Sequence, residues 1–266
     1  MKITLQKDIF LEKLSCSSRF TSSKLSSLTI LQGVLIKGDK ETIHFYSSNL
    51  SSYYHSTIKN EEKNQFEIVI EPKKLTEFIS LLSPGKLELE IKEKQLIVTQ
   101  SKTRGEFPII VSKDFPLPPI IEEKPQIIKT AFFLKNLPLI LFSTSSDESR
   151  PVLTGVNLVS QDEELLMVTT DGFRLSLLKL KKEVELPSMI IPSGFLSEAL
   201  SFIKDEEEIE FRYSQKEKLI LLKIGKNNLY SRLIEGEYPP FEKVIPVDKK
   251  TTVEIDKEEL LRNIKV

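Results

Sequence analysis

Catalysis needs convergent reactive groups, and this chain offers few. His44 and His55 are its only histidines and Cys16 its only cysteine. His44 alternates with Phe45 in a strand-like run, and His55 follows Tyr53-Tyr54. Neither sits in a metal-ligand spacing or beside a cysteine or serine motif, so zinc and nucleophilic chemistry are not indicated. Gly33 and Gly38 are spaced as in a phosphate-binding loop. Asp39 follows where lysine is required, and a strand where a helix N-terminus is required. Asp171 offers a carboxylate, but the run Thr170-Asp171-Gly172 reads as a turn. The chain is therefore read as non-catalytic, with no catalytic residue, no metal ligand and no cofactor. Cys16 reads as a small apolar residue near a helix end. A lone cysteine excludes an internal disulfide and fits a reducing compartment.

Recognition chemistry is better represented. Three polar segments stand out: Asp147-Glu148-Ser149-Arg150-Pro151-Val152-Leu153-Thr154-Gly155, Thr169-Thr170-Asp171-Gly172-Phe173-Arg174-Leu175, and Glu235-Gly236-Glu237-Tyr238-Pro239-Pro240-Phe241 continuing to Pro246. Each needs a scaffold to hold it, and the scaffold is legible as an internal repeat. Leu75, Phe78, Ile79 and Leu82 fall at i, i+3, i+4, i+7, one stripe of a helix. Leu196, Ala199, Leu200 and Ile203 repeat that spacing after Ile190-Ile191-Pro192. The polar face repeats too, Glu77 and Ser80 matching Glu198 and Ser201.

Both copies continue as alternating strands. Leu87, Leu89 and Ile91 turn at Glu93-Lys94 into Leu96-Ile97-Val98. Ile209, Phe211 and Tyr213 turn at Gln215-Lys216 into Leu219-Ile220-Leu221. Each copy closes on an aromatic-proline corner, Phe115-Pro116 and Tyr238-Pro239. The openings are a strand and then a helix: Met1–Thr4 with Asp8–Leu14, and Thr251–Ile255 with Lys257–Ile264. The central opening, Ile128–Thr130 with Phe132–Phe142, carries Pro138, which predicts a kinked or late-starting helix. Gly38-Asp39 and Asp171-Gly172 predict tight hairpins. The fold class is α+β, tandem domains of antiparallel sheet with two helices on one side. The copies are predicted at 1–122 and 123–250, with 251–266 the start of an incomplete third.

Formal net charge is −1, from 38 basic and 39 acidic residues. Any basic surface is therefore local and offset elsewhere, for example by Asp205-Glu206-Glu207-Glu208. No apolar run is long enough for a membrane helix, and no secretory leader is visible.

In order and across the whole chain, these segments resemble the bacterial DNA polymerase III beta subunit, the sliding clamp. The Thr170-Asp171-Gly172-Phe173-Arg174-Leu175 hairpin and the Glu235–Pro246 corner are specific as a pair. Leu28-Thr29-Ile30-Leu31 is similar to a further family segment. The resemblance implies a cytoplasmic, non-catalytic replication factor. Family members are head-to-tail homodimers whose six domains close a ring round duplex DNA, tethering a polymerase without reading sequence. Partners implied are double-stranded DNA, the replicative polymerase, the clamp loader and repair proteins, the proteins docking through linear peptide motifs; no membrane is involved.

Residue by residue, the resemblance implies DNA contacts at Lys73 and Lys24. Ser193-Gly194 stand where basic residues often occur, and Pro151 and Val152 replace aromatics. It implies a peptide groove at Arg150, Leu153, Thr170, Gly172, Phe173, Arg174, Leu175, Pro239, Lys243 and Val244. There Phe173 stands for a common histidine and Lys243 for an arginine, losing a planar fork. Phe107 and Ile109 are expected on the edge strand that pairs with a second protomer. With the third copy barely begun, the polypeptide is expected not to close a ring by itself. A stable dimer retained on circular DNA, seen by light scattering, contradicts that. Two readings of other classes compete: a non-ring peptide-binding scaffold, and a nucleic-acid-modifying enzyme on a related scaffold.

Overall fold

A computed structural model describes residues 1–22, 28–111, 113–246, 248 and 250–265. The chain divides into two units, Met1–Glu235 and Gly236–Val266.

The first unit contains the repeat, element for element. Repeat one runs β1 (Lys2–Gln6), α1 (Lys7–Ser18), a short 3-10 turn (Thr29–Gln32), β2 (Val34–Gly38), β3 (Thr42–Ser48), β4 (Ser52–Lys59), β5 (Phe66–Ile70), α2 (Pro72–Ser80), β6 (Lys86–Ile91), β7 (Gln95–Gln100) and β8 (Thr103–Ile110). Repeat two runs β9 (Gln126–Lys129), α3 (Thr130–Asn136), α4 (Pro138–Leu141), a 3-10 turn (Pro151–Thr154), β10 (Gly155–Ser160), β11 (Glu164–Thr170), β12 (Leu175–Lys181), β13 (Met189–Pro192), α5 (Ser193–Leu200), β14 (Glu208–Ser214), β15 (Leu219–Ile224) and β16 (Asn227–Arg232). Pro138 divides the central helix into α3 and α4, as its missing N–H dictates.

All pairings are antiparallel. A 12-stranded sheet takes the order β1-β6-β7-β8-β5-β2-β3-β4-β16-β15-β14-β9, and β12-β11-β10-β13 form a 4-stranded sheet. Repeat one therefore meets repeat two strand to strand: Tyr53 opposes Tyr230 and Tyr54 opposes Leu229 across β4 and β16. Alternation decides the faces. Ile3 and Leu5 of β1 and Leu87 and Leu89 of β6 join Phe10 and Leu14 of α1 and Leu75 and Ile79 of α2 in the main core. The opposite face carries smaller clusters. Phe115 packs with Leu35 and Val69, and Ile121 with Tyr53, Leu219 and Leu221, so the segment between the repeats straps that face.

Equivalent glycines leave equivalent 3-10 turns, for a steric reason. A Cβ at Gly33 would stand 2.3 Å from Val69 Cγ1, and one at Gly155 would stand 2.5 Å from Ile190 Cγ2. Only glycine lets the turn press so closely against the neighbouring strand.

Two details differ from the sequence reading. Gly38 stays in its strand opposite Ile43, so the turn centres on Lys40-Glu41, with Asp39 N–H donating to Thr42 O at 2.9 Å. Likewise Thr170 pairs with Leu175, so the loop is Asp171–Arg174 rather than the dipeptide Asp171-Gly172. In both, an aspartate side chain occupies the turn's first position and captures backbone N–H groups, so the turn falls later in the chain than the dipeptide. The second unit holds a 3-10 turn (Phe241–Val244) and α6 (Lys257–Ile264), capped by Asp256, which accepts from Glu259 N–H at 2.9 Å. Thr251–Ile255, expected as a strand, forms none. A strand needs a ladder partner, and this unit has none among its described residues.

Candidate partner and DNA surfaces

The β11–β12 hairpin is built to hold its tip still. The Asp171 carboxylate accepts from the Phe173 and Arg174 backbone N–H groups at 2.9 and 2.8 Å. Its second oxygen takes the Arg174 fork, Nε at 3.0 Å and Nη2 at 2.8 Å. These donors, the Arg174 and Phe173 backbone first and the guanidinium next, hold the carboxyl down at about 2. Thr170 Oγ1 donates to Arg174 O at 2.6 Å and accepts from Gly172 N–H at 3.1 Å. Gly172 has φ +93°, and in repeat one the equivalent tip is Asn49-Leu50, with Leu50 at φ +71°. Asn49 Oδ1 likewise accepts from Ser51 and Ser52 N–H. The turn geometry thus belongs to the repeat. The charge at Asp171 and its arginine belong only to repeat two.

Beneath the hairpin, Ser143 Oγ lies 2.8 Å from Thr169 Oγ1 and donates to Ser176 Oγ at 2.7 Å. Thr169 Oγ1 donates to Ile140 O at 2.8 Å. This buried hydroxyl cluster ties both hairpin strands to the end of α4. Phe142, just past α4, lies under the Arg174 guanidinium at 6.0 Å. The result is a fixed apolar display, Phe173 97% and Phe142 60% exposed, with Leu175 half-buried beside them.

Of the expected groove residues, Thr170, Gly172, Phe173, Arg174 and Leu175 come together on this hairpin. Leu153 is only 5% exposed. It sits in the Pro151–Thr154 turn as a buried support, with its N–H donating to Arg150 O at 3.0 Å. The turn folds it inward, so little of it reaches the surface. Arg150 is exposed. In the second unit Pro239, Lys243 and Val244 are exposed in and beside the Phe241–Val244 turn. Phe142 is not singled out by the sequence, where it only ends the central helical run, and no local signal marks a solvent-facing aromatic.

Lys73 stands exposed at the second position of α2, where Pro72 begins the helix. With Ser18, Thr21, Ser22, Thr76 and Glu77 it lines a cleft of about 430 Å³. Lys74 beside it is also exposed, whereas Ser193 and Gly194 open α5 without charge. Lys24 lies outside the described residues. Arg19, also missed, is committed elsewhere: it pairs with Glu198 at 3.4 Å and lies 5.6 Å over Phe202, joining the two repeats.

Phe107 lies in β8, whose Thr103–Pro108 stretch is paired only with β7 among the described residues. Ile109 N–H donates to Lys94 O at 3.0 Å. Alternation then turns the Arg104 and Glu106 backbone groups, and the missing N–H of Pro108, to the open side, where proline is tolerated. Ile109 departs from expectation: it is paired with Ile70 of β5 and so is flanked on both sides. Its sheet closes on β5 at that point, ending the free edge. Phe107 packs edge-on to Phe78 at 5.4 Å, and Leu81 nearby is 86% exposed.

The described residues contain no cluster of three or more His, Cys, Asp or Glu arranged for a metal, and no helix long and apolar enough to cross a membrane. Two family models match: the DNA polymerase III beta subunit N-terminal domain over residues 1–119 and its central domain over residues 127–240. The beta sliding clamp of Bacillus subtilis is 30% identical, the match covering 99% of this chain and 73% of that protein. The beta sliding clamp of Streptococcus pneumoniae is 32% identical, covering 94% of this chain and 69% of that protein. The crystal structure of the Bacillus subtilis DNA polymerase sliding clamp superposes with a TM-score of 0.90 at 27% identity, covering 100% of this chain and 73% of that one.

Proposed function

The chain belongs to the DNA polymerase III beta subunit family, and from that membership we propose how its residues serve a DNA sliding clamp. A clamp holds duplex DNA by topology and tethers a polymerase, so its own contacts need be neither strong nor sequence-specific. One observation carries this reading: equivalent halves are joined through β4 and β16 into one continuous sheet. That is the architecture of a wall built by repetition.

Lys73 is the DNA-facing contact, a mobile point charge suited to phosphate. The Thr170–Leu175 hairpin receives linear peptides from the polymerase and other partners. Its apolar side chains supply affinity, and Thr170 supplies polar orientation. The open side of β8, flanked by Phe107 and Leu81, takes a strand of a second protomer. In this reading residues 1–122 form a first copy, 123–250 a second, and 251–266 the start of a third.

Lys73→Ala is expected to weaken duplex binding equally on unrelated sequences. It should lower the slope of log affinity against log salt by roughly one. Fluorescence anisotropy with two unrelated duplexes measures both. A loss confined to one sequence would contradict a backbone contact.

A further inference from the structure

On the outer face of β3 and β4 the two histidines meet. His44 Nε2 lies 2.9 Å from Asp39 Oδ2, His44 Nδ1 lies 3.0 Å from His55 Nε2, and His55 Nδ1 lies 3.3 Å from Asn228 Nδ2. The chain of donors is fixed from its ends. A carboxylate only accepts, so His44 carries its proton on Nε2 and accepts on Nδ1. His55 therefore donates from Nε2 and accepts on Nδ1 from the Asn228 amide. Every link is satisfied with both rings neutral, and Thr42 Oγ1, which donates to Asp39 Oδ2 at 2.9 Å, also lies 2.8 Å from His44 Nε2. Asn228 lies on β16, directly opposite His55, so the last link crosses from one repeat to the other.

The fold does not require this arrangement. The paired strands of repeat two place Leu166, Val168 and Leu177 where repeat one has His44, Tyr46 and His55. The Tyr46 ring stacks on His55 at 4.3 Å, and its hydroxyl stands 3.3 Å from His44 Nδ1. The neighbouring charges are already paired. Lys37 on β2 pairs with Glu67 at 2.9 Å, and Arg212 on β14 with Glu210 at 3.6 Å. Tyr230 on β16 is a neutral phenol, raised by burial.

We propose that His44 and His55 form a one-proton lock across the junction of the repeats, closed while both rings are neutral and opened when a further proton enters the pair. A second proton puts two N–H groups nose to nose between the rings, or removes the lone pair with which His55 holds Asn228. Burial first, and His44 second, push His55 down to about 4. The folded value lies below the ordinary one near 6.5. The lock's stability is therefore complete above about pH 6.5 and is lost as pH falls toward about 4. Asp39 is held low by the Glu41 and Thr42 backbone N–H groups and then by His44, so its own loss comes at still lower pH.

The test follows imidazole ¹⁵N signals and the urea midpoint across that range, in the native protein, His55→Leu and Asn228→Ala. Leucine is the residue repeat two uses, so the first variant is expected to fold. The native protein should keep His55 as the Nε2–H tautomer and lose roughly tenfold or more in its folding equilibrium over the range. His55→Leu should flatten that loss, and Asn228→Ala should raise the His55 titration midpoint by freeing Nδ1. An Nδ1–H tautomer at His55, an unchanged acid dependence in His55→Leu, or an unmoved midpoint in Asn228→Ala would each overturn the lock.

Discussion

Tyr54→Ala is expected to cost about 3–5 kcal/mol of folding stability, a large part of the roughly 5–15 kcal/mol a domain has. Tyr54 is fully buried where the repeats meet. Its ring stacks with Phe20 at 5.6 Å and lies 5.8 Å from Phe202. Its hydroxyl donates to Asn227 Oδ1 at 2.8 Å and lies 2.9 Å from Ser56 Oγ, whose own hydroxyl can donate to it. One side chain thus links β4, the end of α1, the region after α5 and the start of β16. Alanine leaves a cavity among rigid aromatics that cannot collapse into it. Tyr54→Phe keeps the ring and orphans Asn227 Oδ1 in part, a cost of about 1 kcal/mol. Urea unfolding of both variants separates packing from hydrogen bonding. Equal, small losses would mean the junction is held elsewhere.

Asp171→Ala is expected to lower affinity for a partner peptide by roughly tenfold or more, the scale of a binding hot spot. Alanine releases two backbone N–H groups and the Arg174 fork together, so the tip bearing Phe173 loses its fixed form. Asp171→Asn discriminates the roles. Asn49 shows that an amide suffices for the turn, so asparagine should keep the hairpin and lose only the charged clamp on Arg174, with an intermediate affinity. Because Asp171 is held at about 2, below its ordinary value, the clamp is complete above that ordinary value and lost only as pH falls through about 2. Titration of a labelled linear peptide from a polymerase partner measures the affinities. Undiminished binding by Asp171→Ala would remove the hairpin from the site.

Periodicity made the repeat readable. The helix stripes at Leu75–Leu82 and Leu196–Ile203 and the Pro138 break follow from local physics alone. The hairpin tips were displaced because an aspartate side chain can replace a backbone partner, which the dipeptide pattern ignores. Arg19, Phe142 and the His44–His55–Asn228 relay were illegible for another reason: each depends on contacts between residues far apart in the chain. Leu153 shows the reverse limit. A motif identifies a position, not the direction in which its side chain faces.

The most direct test is retention on DNA of different topology. A form extended by a complete third copy, loaded onto nicked circular duplex, should stay bound through gel filtration and leave promptly when the circle is cut once at any site. Equal retention on linear and circular DNA, or retention that depends on the sequence encircled, would contradict a topological clamp.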